Sequence, residues 1–449
     1  MDRSEKMGTG SIPRLLLHFA APAITGLVAH ALYNIVDRIF VGHTVGPSGI
    51  AAITVAFPFM ITVMSFGILV GVGSSSLISI FLGQKNRENA EKVIGNALTL
   101  LAGGSLLLVL VGYFMLDHIL LFSGASMTII PQARSYLEII LVGIPFSSLS
   151  FGLNYFIRAE GHPRYAMLTL ILGAVLNTIL DGVLILHFAM GLQGAAIATV
   201  ISQAVAAFWV SLFYIRGRGS LEMGFKNLKI EWSITRRILT IGFPPFLLEM
   251  TFVVMLSLIN RIIHYHGGDM GISAVGIFFS LDSLLFLPVI GIGEGVQPLI
   301  GYNFGSGDHS RVIHAVKLAL LWAFTFFFLS FSIIMLFPGQ LVSLFNRESA
   351  ELMRMTVRGM RISYMCLPLL SVTIITSFTL QALGRARASL VLNLCRQVVF
   401  WIPFIIVLPM IWGLDGVWMS FPISDTLGSI LAASILWKQV RRLGTGEGH

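Results

Sequence analysis

Charged residues are scarce in this chain of 449 residues: 11% are Asp, Glu, Lys or Arg, whereas 56% are hydrophobic. Soluble domains carry about 25% charged and about 45–50% apolar residues. A soluble enzyme of this composition would expose more apolar surface than its core could bury, so that class is excluded. Disordered chains are polar and strongly charged, and this chain is neither. Its mean hydropathy of +0.87 favours a protein that lies in lipid.

Cysteine and enzyme motifs are scarce as well. The two cysteines, Cys366 and Cys395, lie within apolar runs, where a free thiol packs as a small hydrophobic side chain. We therefore expect no disulfide framework. Patterns such as His-Glu-x-x-His, Gly-x-Ser-x-Gly and Gly-x-x-x-x-Gly-Lys are missing from the sequence. These absences predict a protein that is not an enzyme and needs no cofactor.

Long apolar runs dominate what is present. A membrane-spanning helix needs about 20 apolar residues, and the short alternating segments of an outer-membrane barrel do not occur here. The sequence predicts an all-α polytopic membrane protein with twelve transmembrane helices. The predicted spans are residues 15–40, 50–82, 93–115, 134–157, 163–187, 191–215, 234–264, 272–305, 312–337, 359–383, 387–411 and 414–437.

The two halves of the chain resemble each other. Corresponding positions, offset by 222 or 223 residues, are Gly71 and Gly293, Pro22 and Pro244, Arg38 and Arg261, Pro145 and Pro368, and Gly191 and Gly413. Each repeat holds six spans, so both repeats enter the membrane from the same side. We predict two pseudo-two-fold-related six-helix bundles, an N-terminal lobe at 1–215 and a C-terminal lobe at 234–449, joined by a cytoplasmic linker at 216–233.

The distribution of Lys and Arg predicts the orientation. The net charge is +8, and most of the 29 basic residues fall on one side of the predicted spans. Cytoplasmic loops carry such an excess, so we expect both termini in the cytoplasm, in a multi-pass protein of the inner (cytoplasmic) membrane. The positive net charge is thus explained by the membrane orientation, and we infer no nucleic-acid partner from it. The group Arg347, Arg354, Arg358 and Arg361 is the exception, and we predict an interfacial amphipathic helix at 349–360.

Acidic side chains inside the spans are the strongest functional signal, because a carboxylate at mid-bilayer costs several kcal/mol. Asn177 and Asp181 are four residues apart and share a helix face. Asp37, Asp181 and Thr199 lie roughly 5–12 Å inside the external boundary. Such oxygen atoms suit Na⁺, and two close carboxylates can equally share a proton. We predict a cation-coupling site at Asp37, Asn177, Asp181 and Thr199, which is a metal site if the ion is Na⁺.

Other intramembrane acids leave more than one interpretation open. Glu249 and Asp282 either line a cleft that attracts cationic substrate or are satisfied by neighbouring polar groups. Glu294 lies between glycines, and its role stays open. Asp425 and Arg396 fall near the middle of neighbouring spans, so Asp425 either pairs with Arg396 or has a functional role.

Pro22 shares the first predicted helix with Asp37. Proline inside a helix removes a hydrogen bond and bends the helix. We predict a kink at Pro22, and the kink is either static or the hinge of a gating movement.

Five motifs together resemble the multidrug and toxic compound extrusion (MATE) family of the polysaccharide-exporter-like superfamily. They are Tyr33–Gly42 (YNIVDRIFVG), Arg158–Gly161 (RAEG), Asn177–Asp181 (NTILD), Gly191–Ala196 (GLQGAA) and Gln381–Gly384 (QALG). The resemblance covers nearly the whole chain, about residues 10–440.

This resemblance implies secondary active efflux driven by a Na⁺ or H⁺ gradient. It implies an N-lobe cation site at Asp37, Asn177, Asp181 and Thr199, and a first helix that bends at Pro22. Some family members carry an acidic pair in the C-lobe, on the seventh and tenth spans. Residues 359–383 contain no Asp or Glu, which favours the N-lobe mechanism here.

The leading hypothesis is an antiporter that exports amphipathic, cationic small molecules in exchange for Na⁺ or H⁺ by alternating access. We expect a monomer whose partners are these small molecules and membrane lipid, with no nucleic acid. The alternative on the same architecture is a flippase or exporter of a lipid-linked saccharide or another metabolite, which should need more basic residues in its cleft. A passive channel and an intramembrane enzyme are further alternatives.

Overall fold

The computed structural model describes residues 5–45, 47–123, 127, 129–222, 225–343 and 350–444. Every regular element among these residues is helical. The α-helices are Glu5–Thr9 (α1), Ile12–Thr44 (α2), Pro47–Gly83 (α3), Arg87–Phe122 (α4), Ile130–Ala159 (α5), Pro163–Asp181 (α6), Gly191–Ile215 (α7), Trp232–Gly305 (α8), His309–Leu336 (α9), Pro338–Ser343 (α10), Ala350–Ser363 (α11), Leu370–Ala382 (α12), Ala386–Leu394 (α13), Ile402–Trp412 (α14) and Leu414–Gly444 (α15). Two π-helical segments, Gly182–His187 and Cys395–Trp401, and two 3₁₀ turns, Phe225–Leu228 and Leu367–Leu369, complete the set.

The all-α polytopic membrane fold is confirmed. Within the described ranges, ten helices are long and apolar enough to cross a membrane. An eleventh span results if Ala350–Ser363 and Leu367–Ala382, which are bent by 45° at their junction, count as one. The predicted seventh span, 234–264, lies inside α8.

The predicted break between residues 264 and 272 is wrong, because α8 is helical without interruption from Trp232 to Gly305. Several glycines lie in this stretch and are poor helix formers. Each glycine costs only about 1 kcal/mol in a helix interior. The long helical segments on both sides therefore keep the backbone helical across these glycines.

The chain forms two compact units. The first comprises Met1–Gly10 and Thr25–Glu249, and the second comprises Ser11–Ile24 and Met250–His449. The chain passes from one unit to the other inside α2 and again inside α8. The predicted lobe bounds, 1–215 and 234–449, stay a prediction.

Local backbone geometry repeats between the two halves. Gly161 and Gly384 have positive φ angles of 88° and 68°, and Gly191 and Gly413 have φ angles of 54° and 56°. These pairs are equivalent in the sequence repeat. L-residues with a side chain avoid this region. Gly161 and Gly384 follow the ends of α5 and α12, and Gly191 and Gly413 lie where α7 and α15 begin.

Close helix packing in the first unit depends on small residues. Helix α5 packs against α3, α4 and α7. A Cβ atom at Gly71 would lie 2.5 Å from Cδ2 of Tyr155, and one at Gly152 would lie 2.3 Å from Cδ1 of Leu101. Glycine at these contacts lets the helix backbones approach closely, as in other membrane bundles.

Side chains of the first unit hold the linker between the repeats. Asn96 Oδ1 accepts hydrogen bonds from the Glu231 amide at 2.7 Å and from Thr235 Oγ1 at 3.1 Å. The Glu160 side chain is fully buried, and its Oε2 accepts from the Ser220 amide at 2.7 Å and from the Leu221 amide. These contacts fix the linker against the helix ends that precede it.

The second unit packs its helices around α15, which contacts α9, α11, α12 and α14. A Cβ atom at Gly359 of α11 would lie 2.5 Å from the Trp418 ring, which is buried. Helix α11 buries Leu352, Thr356 and Met360 on one face. The predicted helix at 349–360 therefore forms from Ala350 onward, and its interfacial position stays a prediction.

Candidate cation and substrate sites

Three helices of the first unit bring the four predicted coupling residues together. Asp37 lies on α2, Asn177 and Asp181 lie on α6, and Thr199 lies on α7; all four side chains are buried. Asn177 Nδ2 donates a hydrogen bond to Thr199 Oγ1 at 3.4 Å. Asp37 and Asp181 are close enough for their carboxylates to interact electrostatically. These contacts form one buried polar cluster, which we call the Asp181 cluster: Asp37, Asn177, Asp181 and Thr199.

Several oxygen atoms of this cluster lack protein partners. Both carboxylate oxygens of Asp181 and the amide oxygen of Asn177 are buried, and no described residue offers them a hydrogen bond. Buried polar atoms in folded proteins are nearly always paired, because an unpaired one costs about 1–3 kcal/mol. Carboxylate, amide and hydroxyl oxygens are ligands for hard cations. The cluster therefore offers oxygen ligands for a small cation, and three of these oxygens have no hydrogen-bond partner among the described residues.

A change of helix type accompanies the cluster. Asp181 is the last α-helical residue of α6, and the chain continues as the π-helical segment Gly182–His187. The wider π turn shifts the register of every following side chain, and such turns are frequent at functional sites. Sequence periodicity gave no indication of this segment.

A cavity in the first unit reaches the cluster from one side. Its empty space, counted together with the open solvent at its mouth, is about 510 Å³, and Asn177 and Thr199 both line it. His30, Tyr33 and Phe151 supply an aromatic wall. The His30 ring packs edge-on against Tyr33 at 4.8 Å and against Phe151 at 5.7 Å between centroids.

His30, Tyr33 and Phe151 were not predicted as site residues, although the sequence contains a signal for two of them. His30, Tyr33 and Asp37 follow the i, i+3, i+7 spacing that puts side chains on one helix face. Because Asp37 is a predicted site residue, His30 and Tyr33 on the same face of α2 could have been predicted to lie beside the site.

Helix α2 continues unbroken through Pro22, which is buried. Helix α8 packs closely against this part of α2 at Gly295. A Cβ atom built on Gly295 would lie only 2.6 Å from the Ala20 amide nitrogen. The role of Pro22 as a gating hinge stays a prediction.

The two predicted cleft acids belong to different units. Glu249 is the last residue of the first unit and is half-buried. Asp282 lies on α8 in the second unit, is also half-buried, and accepts a hydrogen bond from Tyr364 Oη at 3.2 Å. Tyr364 stacks on Phe278 with 4.9 Å between ring centroids.

An ion pair between the half-buried Arg396 and the buried Asp425 lies near Asp282. Arg396 donates to Asp425 Oδ1 from Nε at 3.1 Å and from Nη2 at 3.0 Å. Of the two interpretations left open for Asp425, the ion pair with Arg396 is present in the structure. Asp282 is close enough to interact electrostatically with both partners.

Long apolar helices, an internal repeat and buried acids inside the helices define a polytopic helical transporter. Comparison with known families agrees with this class. The MatE family model matches residues 22–183 and 245–407. The chain therefore belongs to the MatE family, whose members are multi-pass membrane transporters rather than enzymes.

Curated relatives match over nearly their whole length. The "Multidrug export protein MepA" of Staphylococcus saprophyticus is 28% identical over 430 residues, which cover 95% of this chain and 94% of the relative. The protein of the same name from Staphylococcus aureus strain MRSA252 is 27% identical over 424 residues, 94% of this chain and 93% of the relative.

Solved structures share the fold. A MATE protein crystallised in a bent conformation superimposes with a TM-score of 0.94 at 23% identity, over 100% of each chain. A MOP superfamily transporter from Pyrococcus furiosus gives a TM-score of 0.92 at 24% identity, over 98% of each chain. At this level of identity the likeness shows the fold alone.

Proposed function

We propose that this protein is a cation-coupled antiporter that exports amphipathic, cationic small molecules by alternating access, in exchange for Na⁺ or H⁺. The observation that carries the proposal is the set of buried, unpaired oxygen atoms on Asp181 and Asn177. The name of the curated relatives, which describes multidrug export, supports the substrate class.

The coupling ion neutralises the Asp181 cluster. Two buried carboxylates that face each other are costly unless a proton or a metal ion compensates their charge. Na⁺ would be held by the oxygens of Asp37, Asn177, Asp181 and Thr199, whereas a proton would be shared by the two acids. Either ion would enter from the outside and leave towards the cytoplasm, down its gradient.

Coupling to export follows from shared residues. Asn177 and Thr199 belong to the cluster and also line the cavity. A substrate against the aromatic wall and an ion in the cluster therefore compete for the same side chains. Such competition exchanges one ligand for the other, which is what antiport requires.

Cationic selectivity is assigned to half-buried carboxylates within each unit. Asp282 in the second unit offers a carboxylate that Tyr364 orients, and Glu249 lies in the first unit. A lipid-linked saccharide would need a free basic group for its pyrophosphate. Arg396 is engaged by Asp425, so this side chain favours a cationic substrate over that alternative.

The proposal includes the location and the orientation of the protein in the membrane. The protein lies in the cell membrane as a monomer, with both termini and the linker in the cytoplasm, as the basic loops indicate. Pro22 acts as the hinge at which α2 bends during gating.

Transport in proteoliposomes tests the function. Purified protein is reconstituted, and ethidium movement is followed after imposing a Na⁺ gradient or a pH gradient, one at a time. We expect one of the two gradients to drive ethidium movement, and Asp37→Asn and Asp181→Asn each to lower the rate at least tenfold. Asp117→Asn is the matched control, because the Asp117 side chain is 51% exposed. Unchanged rates in both cluster variants would contradict the mechanism.

A further inference from the structure

Helix α11 carries a row of exposed arginines. Arg354, Arg358 and Arg361 are all exposed, and their i, i+4, i+7 spacing places them on one face of the helix. The sequence assigns them to the membrane side opposite most of the basic residues, where the positive-inside rule disfavours arginine. The row therefore calls for an explanation other than orientation.

Two of the three guanidinium groups have no acidic partner among the described residues. Arg358 donates to Oδ2 of Asp415, which compensates its charge. The hydrogen bond of Arg354 stays within its own helix, from Nε to the Ala350 carbonyl at 3.4 Å. Arg361 forms no hydrogen bond or ion pair with a described residue. Arg354 and Arg361 are thus available to an anion from outside the chain.

A groove lies between α11 and the turn that joins α14 to α15. Its empty space, counted together with the open solvent above it, is about 680 Å³. Its polar lining consists of Glu351, Arg354, Arg358 and Asp415, and its apolar lining of Met355, Trp412 and Leu414. The groove thus offers charged side chains and an apolar wall side by side.

The groove has a net positive charge. Arg361 lies one turn from Arg358 on the same helix face, so three arginines stand against the two acids Glu351 and Asp415. The sum is one positive charge, which a single phosphodiester group neutralises. Guanidinium binds phosphate oxygens through two parallel hydrogen bonds, which makes arginine well suited to phosphate.

The groove lies at the depth of lipid headgroups. Counted as one bent span, residues 350–382 cross the membrane once. At 1.5 Å per residue, Arg361 and Arg354 are about 31 Å and about 42 Å from Ala382 along the helix axes, and the bend of 45° makes these distances upper limits on the depth. The hydrocarbon core is about 30 Å thick, and the bilayer with its headgroups is about 40–45 Å thick. The row therefore runs from the edge of the core into the headgroups, where tryptophans such as Trp412 also concentrate.

We propose that this groove binds the headgroup phosphate of an anionic phospholipid, in the leaflet opposite the basic loops. Arg354 and Arg361 bind the phosphate oxygens, and Met355 and Trp412 cover the glycerol and the upper acyl chain. A zwitterionic headgroup carries no net charge and gains nothing from the net positive charge of the groove, so an anionic lipid is favoured. This lipid site goes beyond the proposed transport function and does not depend on it.

Trp412 is the reporter of the groove, because its side chain is 52% exposed there. Purified full-length protein is reconstituted in phosphatidylcholine bilayers that contain a small fraction of brominated phosphatidylglycerol or, in a parallel sample, of brominated phosphatidylcholine. Bromine quenches tryptophan fluorescence at short range, and subtraction of the signal of the Trp412→Phe variant in the same background isolates Trp412. The ratio of the two quenching levels measures the preference for the anionic lipid. We expect about fivefold stronger quenching by brominated phosphatidylglycerol.

Two variants relate this preference to the arginines. The double variant Arg354→Gln with Arg361→Gln removes both free guanidinium groups and should bring the ratio to about one. Asp415→Asn frees the guanidinium of Arg358 for the lipid and should raise the ratio at least about twofold.

Two controls separate this site from general surface charge and from free anions. Arg134→Gln is the matched variant, because this exposed arginine is predicted on the same side of the membrane and is bound by Asp117 and Glu138. It should leave the ratio unchanged. Inorganic phosphate, compared with sodium chloride at the same ionic strength, should not lower the ratio.

Each outcome supports or overturns the lipid site. A ratio near one in the wild-type protein, or a ratio that the double variant leaves unchanged, overturns it, as does an equal fall in Arg134→Gln. Loss of the preference in inorganic phosphate but not in sodium chloride overturns the lipid in favour of free phosphate. If the double variant does not fold, Asp415→Asn decides, because an unchanged ratio there overturns the inference. Gradient-driven export is tested separately, so failure of the lipid site leaves the proposed function intact.

Discussion

Asp181 and Asn177 bury oxygen atoms that the described protein leaves without hydrogen bonds, and this is the feature from which the transport mechanism is built. A buried carboxylate needs a proton or a nearby positive charge to compensate its own charge. Under the proposed function, Thr199 and Asp37 are ligands of the coupling ion.

Glu160 is a second buried acid, and it lies just outside the span that ends at Ala159. Burial raises the pKa of Glu160 to about 7, against the opposing effect of the hydrogen bonds from Ser220 and Leu221. The usual pKa of a glutamate is near 4.5. The native state therefore retains a proton over the range in which the unfolded chain loses it.

Stability should consequently fall as the pH rises from about 4.5 through about 7, and level off above. Each pKa unit corresponds to about 1.4 kcal/mol, so the loss amounts to a few kcal/mol. Glu160→Gln keeps an oxygen for the linker amides and should abolish most of this dependence in thermal unfolding scans between pH 5 and pH 8.5. Glu222→Gln, at an exposed linker position, should behave as wild type. A wild-type unfolding temperature that is flat over this range would contradict the account.

Some residues of the site were predictable and others were not. The depth of Asp37, Asp181 and Thr199 in their spans selected residues that the structure buries, and the depth of Asp425 and Arg396 in neighbouring spans pointed to an ion pair that the structure contains. The bonds of Glu160 were not predictable, because its partners include backbone amides from a loop, and an amide carries no sequence signature.

At the scale of the structural element, the sequence was most informative about the positions of the membrane-spanning helices. Apolar runs of about 20 residues identify spans because each must cover the hydrocarbon core. Periodicity did not identify the two π-helical segments, Gly182–His187 and Cys395–Trp401, since one extra residue in a turn leaves the apolar pattern nearly unchanged. The continuous α8 was missed because local propensity is weaker than the cooperativity of a long helix.

Gly413, at the turn between α14 and α15, tests the role of backbone geometry. Its φ of 56° and ψ of −134° lie in a region that is essentially closed to other residues. Gly413→Ala should cost about 1–3 kcal/mol, seen as a lower unfolding temperature. Gly103→Ala is the control, because that glycine lies inside α4 with open space around it. It should be neutral or stabilising, and equal losses in both variants would contradict the argument.

At the scale of the whole molecule, the sequence repeat matches a repeat of local structure. Asn86 and Asp308, which are 222 residues apart, both cap a helix by accepting a hydrogen bond from the amide three residues on, at 3.1 Å.

The orientation in the membrane is testable by cysteine labelling. After replacing Cys366 and Cys395 with alanine, single cysteines are placed at Met127 and at Lys229, both exposed. We expect a membrane-impermeant maleimide to label intact cells at Met127 and to reach Lys229 only after permeabilisation. The reverse pattern would contradict cytoplasmic termini.

The central claim is that the Asp181 cluster exchanges a cation for substrate. The most direct measurement counts the cations released when ethidium binds to purified protein, with H⁺ followed in weakly buffered solution and Na⁺ followed with a selective electrode. The account predicts release of about one cation per protein, and almost none from Asp181→Asn. Ethidium binding by wild-type protein without release of either ion would contradict it.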